Sequence, residues 1–176
     1  MTAYLRAANV KDGALDLSDV LEMNFDPGEQ VVFRLLPGDV LMTEGSGSRS
    51  VVGSSAVWQG EIPGTVCFQN TLLRLRPRSD VVDGRYLAWW ARGAHSSGLL
   101  ASIAGGANIF HLGADRVRQL PFQLPPLDEQ KRIVAELDEQ IREIDAHAAL
   151  RRRQVELLAE KRRSVIAAAT GMSDSD

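Results

Sequence analysis

The chain has 176 residues, 20 Lys+Arg against 23 Asp+Glu for a net charge of −3, and 44% apolar residues. That is the balance of a folded domain, or a domain with an appendage, and not of a disordered chain. No apolar run approaches the ~18 residues of a membrane span, MTAYLRAANVKDG lacks the basic and apolar regions of a secretory leader, and a single Cys67 excludes an internal disulfide or a cysteine-built zinc site, so a cytoplasmic location is expected.

The first 80 residues read as strands joined by turns. Tyr4–Ala7 is a short strand, and Asp12-Gly13 marks a turn after Val10. The β-branched and aromatic run Val31–Leu36 predicts a strand ending at Pro37-Gly38-Asp39, after which Val40–Thr43 starts another. Glu44–Ser50 is a flexible loop rich in glycine and serine. Apolar pieces follow at Val51–Gly53 and Ala56–Trp58, and further strands at Val66–Phe68 and Thr71–Arg76. The chain changes character at Asp83-Gly84. Tyr86–Ala91 predicts a short amphipathic helix stopped by Gly93, and Ser96–Ile103 another turn or two. Gly105–Asn108 is a loop, Ile109–Leu112 is extended, and the prolines of Leu120–Pro126 enforce an extended path.

The strongest periodic signal begins at Asp128-Glu129, two acids favourable to a helix N-terminus. No Gly or Pro interrupts the roughly 42 residues to Ala169, about 60 Å of helix. Val134, Ile141, Ala148, Val155, Arg162 and Ala169 share one heptad position; Leu137, Ile144, Arg151, Leu158 and Val165 share the other. Such a seam predicts a coiled-coil helix that needs a partner helix. Arg151–Arg153 interrupt it near the middle, either as a solvated face or as the register mark of an antiparallel pairing.

Charge is unevenly spread. Residues 1–48 carry three basic and eight acidic side chains, whereas 49–120 carry eight arginines, no lysine and four acids. Arginine's planar fork suits phosphates and guanine edges, although a genome bias toward arginine gives the same pattern. Catalytic signatures are missing. His95, His111 and His147 have no metal-ligand spacing, and Glu44–Ser50 lacks the lysine of a phosphate loop. Glu129-Gln130-Lys131 matches the E-x-K of a nuclease only superficially, because it lies in a helix's first turn behind Pro125-Pro126. Leu124-Pro-Pro-Leu127 is not the Asn/Asp-Pro-Pro-aromatic loop of amino-methyltransferases. The chain reads as non-enzymatic, with no metal site.

Leu120-Pro-Phe-Gln-Leu-Pro-Pro-Leu-Asp-Glu-Gln-Lys-Arg-Ile-Val134, continuing to Glu160-Lys-Arg-Arg-Ser-Val-Ile-Ala-Ala-Ala-Thr-Gly171, resembles a conserved helical region of type I restriction–modification specificity subunits. Tyr4–Gly13, Pro37–Thr43 and Tyr86-Leu87 are similar, in the expected order, to landmarks of that family's target recognition domain. The resemblance implies an α+β chain: a mainly β recognition domain with short helices over 1–126, missing part of its usual front end, a long coiled-coil helix over 127–171, and a disordered tail over 172–176. It implies a half-subunit that reads double-stranded DNA without catalysing anything, partnered by modification (methyltransferase) and restriction (motor-nuclease) subunits. Those partners would bring S-adenosylmethionine, ATP and magnesium.

With one helix present, the simplest partner is a second copy, in an antiparallel homodimer. Its seam would run through Val134, Leu137, Ile141, Ile144, Ala148, Arg151, Val155, Leu158, Arg162 and Val165. The DNA-facing candidates are two loops. Ser46, Ser48, Arg49 and Ser50 offer hydroxyls and a guanidinium, and Arg49 can fork onto guanine. Gly105, Gly106, Asn108 and His111 form the second, where Asn108 can pair with adenine. Arg74, Arg76 and Arg78 alternate along a strand and are expected to track the phosphate backbone, with Arg116 and Arg118 nearer the helix junction. The competing expectation is a truncated or decoy subunit that only docks on partners through residues 128–170.

Overall fold

The computed structural model describes residues 1–171; the tail expected over 172–176 lies outside the described residues. In chain order the elements are β1 (Thr2–Leu5), β2 (Val10–Lys11), β3 (Ala14–Leu15), β4 (Leu21–Met23), α1 (Pro27–Phe33), β5 (Val40–Thr43), β6 (Gly45–Ser46), β7 (Ser55–Val57), β8 (Val66–Phe68) and β9 (Leu72–Leu75). Then follow α2 (Gly84–Ser96), α3 (Leu99–Ile103), β10 (Phe110–His111), α4 (Ala114–Arg118) and α5 (Leu127–Thr170). This is the α+β arrangement expected, short strands and short helices followed by one long helix.

The organising strand is β5. Every residue of Val40-Leu41-Met42-Thr43 is buried, and the strand sits between β7 and β9, antiparallel to both. Alternation sends its side chains into two cores. Val40 and Met42 join Val52, Ala91, Ala94, Leu100 and Leu112, so α2 and α3 cover that face. Leu41 joins Leu5, Val10, Leu35, Trp58, Val66 and Leu72 on the other. There a second sheet, β4-β1-β8, pairs β1 antiparallel with β4 and parallel with β8. Buried Asn9 pins the following hairpin, its side chain accepting from Arg6 N and donating to the carbonyls of Asp16 and Asp19.

Three local expectations are corrected. The strand expected over Val31–Leu36 is replaced through Phe33 by α1. Asp26 Oδ1 accepts from Glu29 N at 2.8 Å, and Glu29 returns the bond to Asp26 N at 2.9 Å. With Pro27 at the first helical position, that capping box nucleates a helix that valine's strand preference would otherwise oppose. Val31 and Val32 are left exposed, and extended pairing begins only at Arg34, which bridges to Cys67. Gly93 does not stop α2, which runs on to Ser96 and ends before Gly98 at φ +78°. Part of the loop expected over Glu44–Ser50 is the strand β6.

The chain forms two compact units, Met1–Val134 and the stretch from Ala135 onward. The first two turns of α5 therefore belong to the first unit, eight residues beyond the boundary expected at 126/127. Gln130 is the reason. It is fully buried; its Oε1 accepts from Asp83 N at 2.8 Å, and its Nε2 donates to the carbonyls of Val81 (3.0 Å) and Pro125 (2.8 Å). Val134, one turn on, is buried as well. No helix of the described residues is long and apolar enough to cross a membrane.

Candidate nucleic-acid interface

The two candidate loops, far apart in the chain, form one surface. β6 pairs antiparallel with β10, setting Ser46 opposite Phe110 and Gly45 opposite His111. The second loop is closed on itself by paired bonds, Gly105 N to His111 O at 2.9 Å and His111 N to Gly105 O at 2.8 Å. Close approach crowds two glycines, and at Gly106 it excludes any side chain. A Cβ on Gly45 would stand 3.0 Å from the His111 ring, and one on Gly106, at φ +118°, only 1.9 Å from Ile109 O.

On this surface Arg49 lays its guanidinium 4.8 Å from the centroid of the Phe110 ring, a cation–π contact joining the loops. Ser48 N donates to Ser46 Oγ at 3.1 Å, and the hydroxyls of Ser48 and Ser50 lie 2.8 Å apart. Ser48, Arg49, Ser50, Asn108, Ile109 and His111 are exposed. A cation, several hydroxyls, an amide and an imidazole are the groups that hydrogen-bond phosphates and base edges.

Two of the expected contacts also bond within the fold. Arg76 grips Asp39 with two bonds of 2.6 Å and also donates to Arg34 O at 3.0 Å. Arg74 donates to the carbonyls of Val32 and Arg34, both at 2.9 Å, and packs 5.1 Å from the Phe68 ring. The hydrogen bond to Asp39 raises the pKa of Arg76, while burial and then Arg76 lower that of Arg74. Each guanidinium is thus bonded within the fold near the end of α1, while the Arg76 side chain remains 39% exposed. Arg78 is exposed. Arg116 supports the second loop from beneath, donating to Ile103 O at 2.8 Å beside Gly105, and Arg118 pairs with Asp115 within α4.

Sequence reasoning left three residues out. Phe110 is the platform for Arg49, and Ile109 stands 56% exposed at the tip of the closed loop. His95 holds the first loop: its Nε2 donates to Ser50 O at 2.8 Å, with Ser54 Oγ at 3.4 Å and Asp12 Oδ1 3.7 Å from Nδ1. Ser54, His95 and Asp12 thus stand in the order of a hydrolytic relay. The relay is not formed, because the Nε2 hydrogen is spent on the Ser50 carbonyl and Ser54 is buried away from any substrate. No local pattern marks these roles, since each arises from strand pairing or packing. Among the described residues, no cluster of three or more His, Cys, Asp or Glu side chains could hold a metal ion.

Taken alone, the stretch of α5 from Ala135 is an exposed helix. Ile144, Val155, Leu158 and Val165 of the heptad seam are 59–66% exposed, and Leu137, Ile141 and Ala148 are half-buried. Its charge is segregated. Residues 135–145 hold five acids against Arg142, whereas 146–170 hold six basic side chains against Glu156 and Glu160.

A β-rich domain carrying a two-loop polar surface and a long exposed helix matches known proteins. The type I restriction modification DNA specificity domain matches residues 38–157. The chain belongs to that family. It is 29% identical over 167 residues to the type I restriction enzyme StySPI specificity subunit of Salmonella potsdam, and 28% identical to the EcoKI specificity subunit of Escherichia coli K12. Each alignment takes in 94% of this chain but 35% of the relative, so the chain spans about a third of the length of these subunits. Among solved structures, a chain from a study of assembly and conformational transition in the type I R-M system aligns with TM-score 0.65. It shares 26% identity over 92% of this chain and 35% of its own. The HsdS subunit from Thermoanaerobacter tengcongensis shares the fold at TM-score 0.59 and 22% identity, covering 81% of this chain and 30% of its own.

Proposed function

We propose that this specificity domain reads one half-site of double-stranded DNA through the joined loops 45–50 and 105–111, and docks through α5 on its partners. The observation that carries the reading is the β6–β10 pairing, which joins the loop of half-buried Ser46 and exposed Ser48, Arg49 and Ser50 to the loop of exposed Asn108 and His111. In this reading Arg49, steadied on Phe110, forks onto a guanine, Asn108 pairs with an adenine, and the serines hold phosphates. The chain itself catalyses nothing. A modification subunit and a restriction subunit supply methylation and cleavage, with S-adenosylmethionine, ATP and magnesium bound to them.

The first partner of α5 in this proposal is a second copy. The apolar seam supplies the contact, and the segregated charge sets its direction. Antiparallel pairing lays each acidic stretch 135–145 on the basic 146–170 of its mate, whereas parallel pairing opposes like charges. A two-fold dimer of this kind reads a palindromic site in two parts.

The test is the affinity for duplex DNA across a salt series. Productive reading gives a log–log slope of about −0.9 per phosphate contacted, and Arg49→Ala weakens binding by about 1–3 kcal/mol while relaxing discrimination at one position. The net charge of −3 and the eight acids of residues 1–48 favour a second reading, a decoy that docks on modification subunits alone. A flat salt series with intact docking establishes that reading instead.

A further inference from the structure

We propose that Ile109 is a specificity-determining residue that reads the 5-methyl group of thymine in the major groove, beside the base read by Arg49. The inference rests on the DNA-reading function proposed above and adds a residue and a chemical target to it.

Ile109 is an aliphatic side chain, 56% exposed, and Asn108 and His111 in the same loop are exposed polar residues. It is held there by the backbone. The bonds between Gly105 and His111 close the loop, and Arg116, donating to Ile103 O, fills the space beside Gly105. The Ile109 carbonyl turns against Gly106 so closely that no side chain fits there, and the isoleucine side chain is left more than half exposed. The next residue, Phe110, is tied into β10 opposite Ser46 and carries the Arg49 guanidinium. Ile109 is therefore held in a closed loop, one residue along the chain from the ring that carries the candidate guanine reader, with little ordering left to do on binding.

The target follows from what a duplex displays. Base edges in the major groove offer hydrogen-bond donors and acceptors, with one apolar group among them, the thymine methyl. Polar side chains cannot profit from that methyl, whereas a branched aliphatic chain can cover it. A protein partner would call for a contiguous apolar patch, but the exposed residues flanking Ile109 in the loop, Asn108 and His111, are polar.

The experiment uses the full chain and random-sequence duplexes. A preferred site is selected, and each thymine in it is then replaced singly by deoxyuridine, which removes the methyl and leaves the pairing edge unchanged. At one thymine we expect the wild-type protein to lose about 3- to 10-fold in affinity, the worth of one buried methyl with its packing. Ile109→Ala should lose a similar factor on the thymine duplex and be indifferent to deoxyuridine at that position, while Ile109→Val keeps most of the methyl response. Equal thermal stability of the three proteins shows that the fold is unaffected. The inference is overturned if no thymine shows a methyl effect, or if Ile109→Ala keeps the full effect. If the wild-type protein selects no sequence at all, the DNA-reading function itself falls, a different result from selection without methyl sensitivity.

Discussion

Asp39 is 1% exposed, and its carboxylate is satisfied by Leu36 N at 2.7 Å and by the Arg76 fork. This pair ties the Pro37-Gly38-Asp39 turn to the residue that follows β9. Arg76→Ala leaves the buried charge with one backbone donor and should cost about 2–4 kcal/mol of unfolding free energy. Because Asp39 and Arg34 O already hold that guanidinium, the same variant, assayed well below its melting temperature, should keep the wild-type salt dependence of DNA binding. A slope shallower by nearly one unit would return Arg76 to the list of phosphate contacts. Residue identity alone did not separate Arg49 from Arg74 and Arg76. All three are arginines in a basic stretch, and only the positions of Asp39, Arg34 O and Phe110 around them assign their work.

At the scale of elements, legibility followed the range of the interactions. β5 and β8 fall on the residues expected because turn residues and apolar alternation are local signals. The start of α5 was equally legible from its prolines and acids. α1 was not read, because Val31-Val32-Phe33 outweighed a capping box lying just upstream at Asp26–Glu29. The extension of the first unit into α5 depends on Gln130, whose three partners come from the 81–83 turn and the proline stretch. Gln130→Ala strands Asp83 N–H and two carbonyls in a buried place, and about 3 kcal/mol of destabilisation is expected in urea unfolding. Gln130→Glu should be no better, because a carboxylate would face the carbonyls of Val81 and Pro125 and has no hydrogen to give them.

At the scale of the whole molecule, α5 presents an apolar seam with its charges sorted end from end, and the antiparallel dimer has a direct geometric test. Ala148 and Ala169 both lie on the heptad seam. In an antiparallel pair centred near Ala148, Ala148→Cys chains should cross-link on oxidation. Ala169→Cys chains, about 60 Å apart at 1.5 Å per residue, should not. Native Cys67 is fully buried, and burial raises its pKa, so it stays silent in this assay. Cross-linking at Ala169 alone would establish a parallel pair, and a monomer by light scattering would assign the seam to a different chain. By itself, the amino-acid order determined that helix, its seam and its family likeness, because heptad period, capping acids and turn residues act within a few residues of one another. Only the tertiary structure decided which loops make one surface and which arginines bond within the fold. The pairing of β6 with β10 and the capture of Arg74 and Arg76 join residues remote in the chain, and no local pattern encodes such contacts.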